Sequence, residues 1–213
     1  DPYYATYPGT IRGADALPRA VVTGPETGFL PTEPALEAQA AGARSLLVNT
    51  PNNPTGRVYD AATLEGIARV CRRHGLWLIS DEVYESQVWH GSHLSPRAIP
   101  GMAERTLVVG SMSKSHAMTG SRLGWVVGPE DAIAAIGDLA THTNYGVAGF
   151  VQMAALWALR QGDTLEEEVA APFRRRRALV GKILSGQEVV REIPAEGAMY
   201  VMLDIRAAGL TAH

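Results

Sequence analysis

The chain has 213 residues, 46% hydrophobic and 19% charged, enough to bury a substantial core in one large domain, or one and a piece. A formal net charge of −3 offers no positive field for nucleic acid or an anionic membrane. No apolar run reaches the ~20 residues of a membrane span, and no segment reads as a signal peptide.

The single cysteine, Cys71, excludes an intrachain disulfide and a cysteine-based zinc site and fits a reducing, cytoplasmic setting. The chain starts at Asp1 and stops at His213 shortly after an apolar, strand-like run, which reads as a piece of a longer protein.

Runs rich in β-formers alternate with helical patterns. Residues Ala20–Thr23, Ser45–Asn49, Leu76–Ser80, Thr106–Gly110 and Leu123–Val127 read as strands. Most are continuously apolar, as strands covered on both faces are. The clearest helix runs over 61–74, with Asp60 as N-cap and Gly75 as the terminating residue. Cys71 falls in register with Leu64, Ile67 and Ala68, which makes it a buried thiol rather than a nucleophile. This alternation predicts an α/β fold with a mainly parallel sheet.

Beyond the fifth strand the pattern turns helical over 131–139, 149–159 and 165–184. Thr164 and Glu167 have capping-box spacing, and Pro172 is expected to bend or divide the last helix. Arg174, Arg175, Arg176 and Arg177 follow Glu166, Glu167 and Glu168 and read as a solvated helix face. Strands near 188–193 and 199–205 then suggest a second, α+β domain. The expected division is a large domain over 1–163 and the start of a small one over 164–213.

Three loops carry chemistry. Asn49-Thr50-Pro51-Asn52-Asn53-Pro54-Thr55-Gly56 follows a strand; the prolines hold the residues before them extended, so the loop fixes the direction of its asparagines, although a plain tight turn reads the same. The next strand delivers Asp81-Glu82-Val83-Tyr84 at its C-terminal end, where an aspartate can cap a helix, bind a metal or pair with a protonated heterocycle. The fourth leads into Ser111-Met112-Ser113-Lys114 and on to Gly120-Ser121-Arg122. Lys114 is one of two lysines against seventeen arginines. An isolated lysine among serines and glycines points to a role arginine cannot fill, and imine formation is one, since only lysine readily loses its proton.

Strands of one parallel sheet end along a common edge, so Asn53, Asp81 and Lys114 can converge. Together they offer a pyridine ring a carboxylate for its N–H, donors for a phenolic oxygen, an amine for an aldehyde, and Ser/Arg donors for a phosphate. His90 and His93, in a Gly/Ser loop without a third ligand, read as surface residues rather than a metal site. A G-x-G-x-x-G turn is missing from the first strands, against a dinucleotide enzyme.

The segments NTPNNPTG, SDEVY and SMSKSHAMTGSRLGW, in this order and spacing, resemble the signature loops of class I/II aminotransferases of pyridoxal-phosphate (PLP) fold type I, over essentially the whole chain. The resemblance implies a three-layer α/β/α large domain and pyridoxal 5'-phosphate as cofactor. Lys114 would be the Schiff-base lysine and Asp81 the partner of the ring nitrogen. Asn53 and Tyr84 would bind the phenolic oxygen, Ser111, Ser113 and Arg122 the phosphate, and Tyr4 would stack on the ring. Gly197-Ala198-Met199-Tyr200 is similar to the glycine-aromatic motif opening a strand of the family's small domain. Thr141–Gly146 resembles a loop that reaches the neighbouring subunit's site and is similar to that of arginine–pyruvate transaminases; a surface-loop reading of His142 stays open beside it.

The implied activity moves an amino group from an amino acid to a 2-oxo acid in a homodimer, with no nucleic-acid or membrane partner. Decarboxylation, β-elimination such as C–S lysis, racemisation, or a PLP-binding sensor without turnover stay open. The family's N-terminal arm, glycine-containing phosphate loop, two sheet strands and carboxylate-binding arginine have no counterpart among these residues, so weak or absent turnover is expected of residues 1–213 alone.

Overall fold

The computed structural model describes residues 1–209. Two helices come first: α1 (Tyr7–Gly13), with Pro8 in its opening turn, and α2 (Glu33–Ala40), whose N-cap Thr32 accepts the Ala35 N–H at 3.4 Å. There follow β1 (Ser45–Asn49), α3 (Ala61–His74), β2 (Trp77–Asp81), β3 (Thr106–Ser111), the short α4 (Met112–Ser115) and β4 (Gly124–Val127). The sheet order is β1-β2-β3-β4, with β1, β2 and β3 parallel and β4 antiparallel to β3.

Helix α3 explains the main core. Leu64, Ile67, Ala68, Val70 and Cys71 are buried at helical spacing and meet Leu36, Ala40, Val48, Leu76, Leu78 and Met102. Both expected ends form: Asp60 Oδ1 accepts the Thr63 N–H at 2.8 Å, and Gly75, at φ 63°, returns its N–H to Cys71 O. On the solvent side Arg69 reaches Glu33 at 2.8 Å, an exposed pair that adds little. Burial raises the Cys71 thiol to about 11, as suits a packing residue.

Helices α5 (Glu130–Thr143), α6 (Gly149–Arg160) and α7 (Asp163–Leu184) follow, then an antiparallel pair, β5 (Arg191–Ile193) and β6 (Met202–Asp204). A smaller core joins Met112, Ala155 and Ala158 to Met118, Leu123, Trp125 and Leu165. None of the described helices is long and apolar enough to cross a membrane.

Several expectations need correction. Residues Ala20–Thr23 form no strand. A cleft lined by Val21, Leu36, Ser45 and Leu46 lies between them and β1, and their backbone bonds run to Asp1, with Thr23 N–H donating to Asp1 O at 2.8 Å. One residue is too short a partner for a ladder. The capping box at Thr164 does not form, because α7 begins two residues earlier than expected, at Asp163 with Gly162 before it and no side-chain cap, and Glu167 turns to Arg174 at 3.0 Å. Pro172 does not divide the last helix, since α7 runs through it from Asp163 to Leu184. The last two strands are shorter than expected, and residues 210–213 of the anticipated second domain lie outside the described residues.

Replacing Asp60 with Ala removes the cap of the helix that builds the main core. Denaturant unfolding of Asp60→Ala should show about 1 kcal/mol less stability than the parent, and Asp60→Asn should recover most of it.

Candidate functional site

The Asn49–Gly56 loop is built by its own side chains. Asn49 Oδ1 accepts the Asn53 N–H at 2.7 Å, and Asn52 Oδ1 takes the Thr55 N–H at 3.1 Å and its hydroxyl at 2.8 Å. Thr50 Oγ1 accepts the Tyr59 N–H at 2.9 Å. The Asn49 amide and the Thr50 N–H both donate to Asp81 O, at 3.0 and 3.1 Å, and so tie the loop to the end of β2. These buried polar groups each have partners, which makes the loop rigid rather than costly.

At that strand end Asp81 is part-buried. Tyr7 donates its hydroxyl to Asp81 Oδ2 at 2.6 Å, and the Val83 N–H donates to Oδ1 at 3.3 Å. Burial pushes the carboxyl above the ordinary aspartate range, and the two donors pull it part of the way back. The Tyr7 phenol is driven well above its usual range by burial and then by the Asp81 charge.

From β3 the chain turns into α4. Ser111 caps it, its Oγ accepting the Ser113 N–H at 3.0 Å and donating to Leu123 O at 3.3 Å. Lys114 is half-buried, and its amine has no hydrogen-bond or ion-pair partner among the described residues. Arg122 stands at φ 52°, a left-handed conformation uncommon outside glycine, and donates to Thr119 O at 3.0 Å. Because β4 runs antiparallel to β3, the segment before it, with Arg122, reaches the edge where β1, β2 and β3 end. Gly110 is required at its cross-strand position: a Cβ there would collide with the Trp125 ring.

A C-terminal segment closes the site. Gly56 O accepts the N–H groups of Glu196 and Gly197 at 2.8 Å, Ala198 N–H donates to Gln87 O at 2.8 Å, and Arg57 pairs with Glu196 at 3.0 Å. Gly56, at φ 67°, faces Ala195 so closely that a Cβ would collide with it. This docking delivers Tyr200, whose hydroxyl accepts from Asn53 Nδ2 at 3.1 Å and lies 2.5 Å from Tyr84 OH.

One cavity of about 340 Å³ at the strand ends brings together Tyr4, Asn53, Asp81, Tyr84, Ser111, Ser113, Lys114 and Arg122, a size suited to a small ligand. Tyr7, Asn49, Thr119 and Tyr200 line it as well. All four lie in segments read from the sequence, Tyr7 in the opening Asp1–Tyr7 stretch, Asn49 and Thr119 in the signature loops and Tyr200 in the glycine-aromatic motif, but nothing there marked them as site residues.

The histidines fall elsewhere. His93 is not a surface residue: its side chain is 11% exposed, with Nε2 2.8 Å from Glu82 Oε2, while Ser95 donates to Glu82 Oε1 at 2.8 Å. His93, Glu82 and Glu85 can bring one ligand atom each within 4.8 Å, but both Glu82 oxygens already have partners. His142 is exposed at the end of α5 and bonds Asp138 O at 2.8 Å; it does not line the cavity.

A mostly parallel sheet with flanking helices, and a cavity at its strand ends that offers an amine and a carboxylate, define the large-domain architecture of the PLP-dependent transferases. The family profile described as aminotransferase class I and II matches residues 1–213, and the chain belongs to that PLP-dependent family. It is 40% identical to the arginine–pyruvate transaminase AruH of Pseudomonas aeruginosa, over 100% of this chain and 54% of that one. It is 37% identical to an aspartate aminotransferase of Streptomyces avermitilis, over 97% and 51%. Among solved structures, an aromatic aminotransferase from Pyrococcus horikoshii matches with a TM-score of 0.93 and 34% identity, covering 98% of this chain and 56% of that one. Aspartate aminotransferase from Thermus thermophilus with maleate matches with 0.90 and 34%, covering 98% and 57%. The chain spans about half the length of the relatives it matches.

The donor set suits PLP: a part-buried carboxylate, an unpartnered amine, phenol and amide groups, and serine hydroxyls with an arginine. Asp81 also yields a prediction. Its raised value means that the folded chain keeps a proton which the unfolded chain releases just above the ordinary aspartate range of about 4, so stability falls as pH rises through that window. Without cofactor, Asp81→Asn should unfold at a higher denaturant midpoint than the parent at pH 7. The two midpoints should converge below about pH 4.

Proposed function

We propose that this chain forms most of the PLP site of an aminotransferase that moves an amino group from an amino acid to a 2-oxo acid. What supports the reading is that eight residues, spread from Tyr4 to Arg122, line one cavity at the strand ends. In this reading residues 1–163 form the large domain and 164–213 begin a small one.

PLP, when bound, supplies a ring that takes up the electron pair left at the substrate Cα. Lys114 is the residue that would meet its aldehyde, and the Lys114 amine would serve as general base and acid for the substrate Cα proton. Asp81 holds the ring N–H by opposite charge, in a part-buried site where that charge acts more strongly than in water. Asn53 and Tyr84 would hold the phenolic oxygen, Ser111, Ser113 and Arg122 the phosphate, and Tyr4 would stack on the ring.

The same reading includes a homodimer in a reducing cytoplasmic compartment. Supporting a subunit contact is the exposed apolar run on and before α6, with Tyr145 91%, Phe150 79% and Trp157 63% exposed. Arginine with pyruvate is the first substrate pair to try, because the AruH likeness extends over the whole chain.

Borohydride reduction in the presence of PLP, followed by peptide mapping, should place the label on Lys114 and leave Lys182 and the terminal amine unlabelled. In the full-length protein, Lys114→Ala should abolish that label and lower the amino-acid half-reaction at least ~100-fold. Equal labelling of Lys182, or unaltered turnover in Lys114→Ala, would sink the assignment, and cofactor labelling without any half-reaction would favour a sensor.

A further inference from the structure

Tyr7 closes the opening Asp1–Tyr7 segment, of which only Tyr4 was read as a site residue, yet it makes the closest contact to the aspartate at the end of β2. Its hydroxyl donates to Asp81 Oδ2 at 2.6 Å, the short distance of a charge-assisted bond, whereas the other donor, Val83 N–H, stands at 3.3 Å from Oδ1. The Tyr7 ring also meets Tyr4 edge-on, with centroids 5.5 Å apart, and its N–H donates to Tyr4 O at 3.0 Å. Pro8 and the first turn of α1 fix its backbone. One side chain therefore supports both the carboxylate and the aromatic ring that flank the cavity.

We propose that Tyr7 is a positioning residue for a pyridine-type cofactor, acting through Asp81 and Tyr4, an inference that rests on the PLP reading of this cavity. A carboxylate can hold a ring N–H only while it is ionised and aimed, and a buried one is driven toward its neutral form. Around Asp81 stand Tyr7 from α1, Glu82 and Tyr84 beyond β2, and Lys114 across the same cavity. Glu82 adds like charge. Of these neighbours, Tyr7 is the one whose proton is already committed to the carboxylate.

The test uses the full-length protein and Tyr7→Phe, which keeps the ring against Tyr4 and removes only the hydroxyl. PLP affinity is read by absorbance titration of the cofactor-stripped protein between pH 5 and 8, with no turnover involved. We expect about tenfold weaker binding at neutral pH, the scale of one hydrogen bond to a charged group. The acidic limb of the affinity profile should also move to higher pH, a change that loss of packing alone would not produce. In an Asp81→Asn background the same substitution should leave affinity unchanged.

Parent-like affinity with an unmoved acidic limb would overturn the proposal, as would an equal loss in both backgrounds. Borohydride labelling separates this from the underlying reading. Label on Lys114 in the parent protein with no Tyr7 effect removes only the role of Tyr7, whereas an unlabelled Lys114 in the parent removes the PLP reading itself. Label on Lys114 retained in Tyr7→Phe shows that the pocket is intact, so the affinity change then reports the hydroxyl.

Discussion

The parallel register of β1, β2 and β3 is the constraint on which the site depends. It sets Asn49 beside Asp81 and Asp81 beside Val109, so the residues that follow each strand emerge at one edge. Each then turns back by a local device: the asparagine loop after β1, the Asp81–Val83 contact after β2, and the Ser111 cap after β3. Parallel strands need crossovers, and the α3 crossover is held by the main hydrophobic core. Burial by α3 thus fixes positions that no single loop could hold.

The edge would be hard to keep dry were its polar groups unpaired. Asn49, Thr50, Asn52 and Thr55 are all buried, and each finds a partner within the loop or on β2. Asp81 is the exception in kind, since its hydrogen bonds do not fully offset the cost of burying its charge. A carboxylate left short of compensation has reserve affinity for a cationic N–H. The same feature that weakens the protein alone suits it to hold a protonated ring, a common opposition between stability and function.

Much of this was legible in the sequence. The ends of α3 were readable because Asp60 and Gly75 act within one turn of their own positions. Lys114 stood out by rarity, and the asparagine loop by its prolines. Where long-range partners decide, local patterns failed. Ala20–Thr23 has a strand's composition, but a cleft lies where its neighbour on the β1 side would have to be. Thr164 and Glu167 have the spacing of a cap, yet the helix starts before them. Tyr7 and Tyr200 sit in legible segments, but their roles were not legible, because what matters is an oxygen delivered to Asp81 from 74 positions away, or to Asn53 from 147.

That last distance bears on how the site is completed. Tyr200 reaches Asn53 and Tyr84 only because Glu196, Gly197 and Ala198 hydrogen-bond to Gly56 O and Gln87 O, and the approach is possible only because Gly56 has no side chain. Ala198, at φ 58°, takes an uncommon conformation to make the last turn. The segment is thus latched both to the loop after β1 and to residues 87–90 beyond β2. Any shift of the β5–β6 region reaches the cavity through a few backbone hydrogen bonds and one ion pair, Arg57–Glu196. Among the residues lining the cavity, Tyr200 is therefore the one delivered by the C-terminal segment, while Asn53, Asp81 and Lys114 follow the ends of β1, β2 and β3.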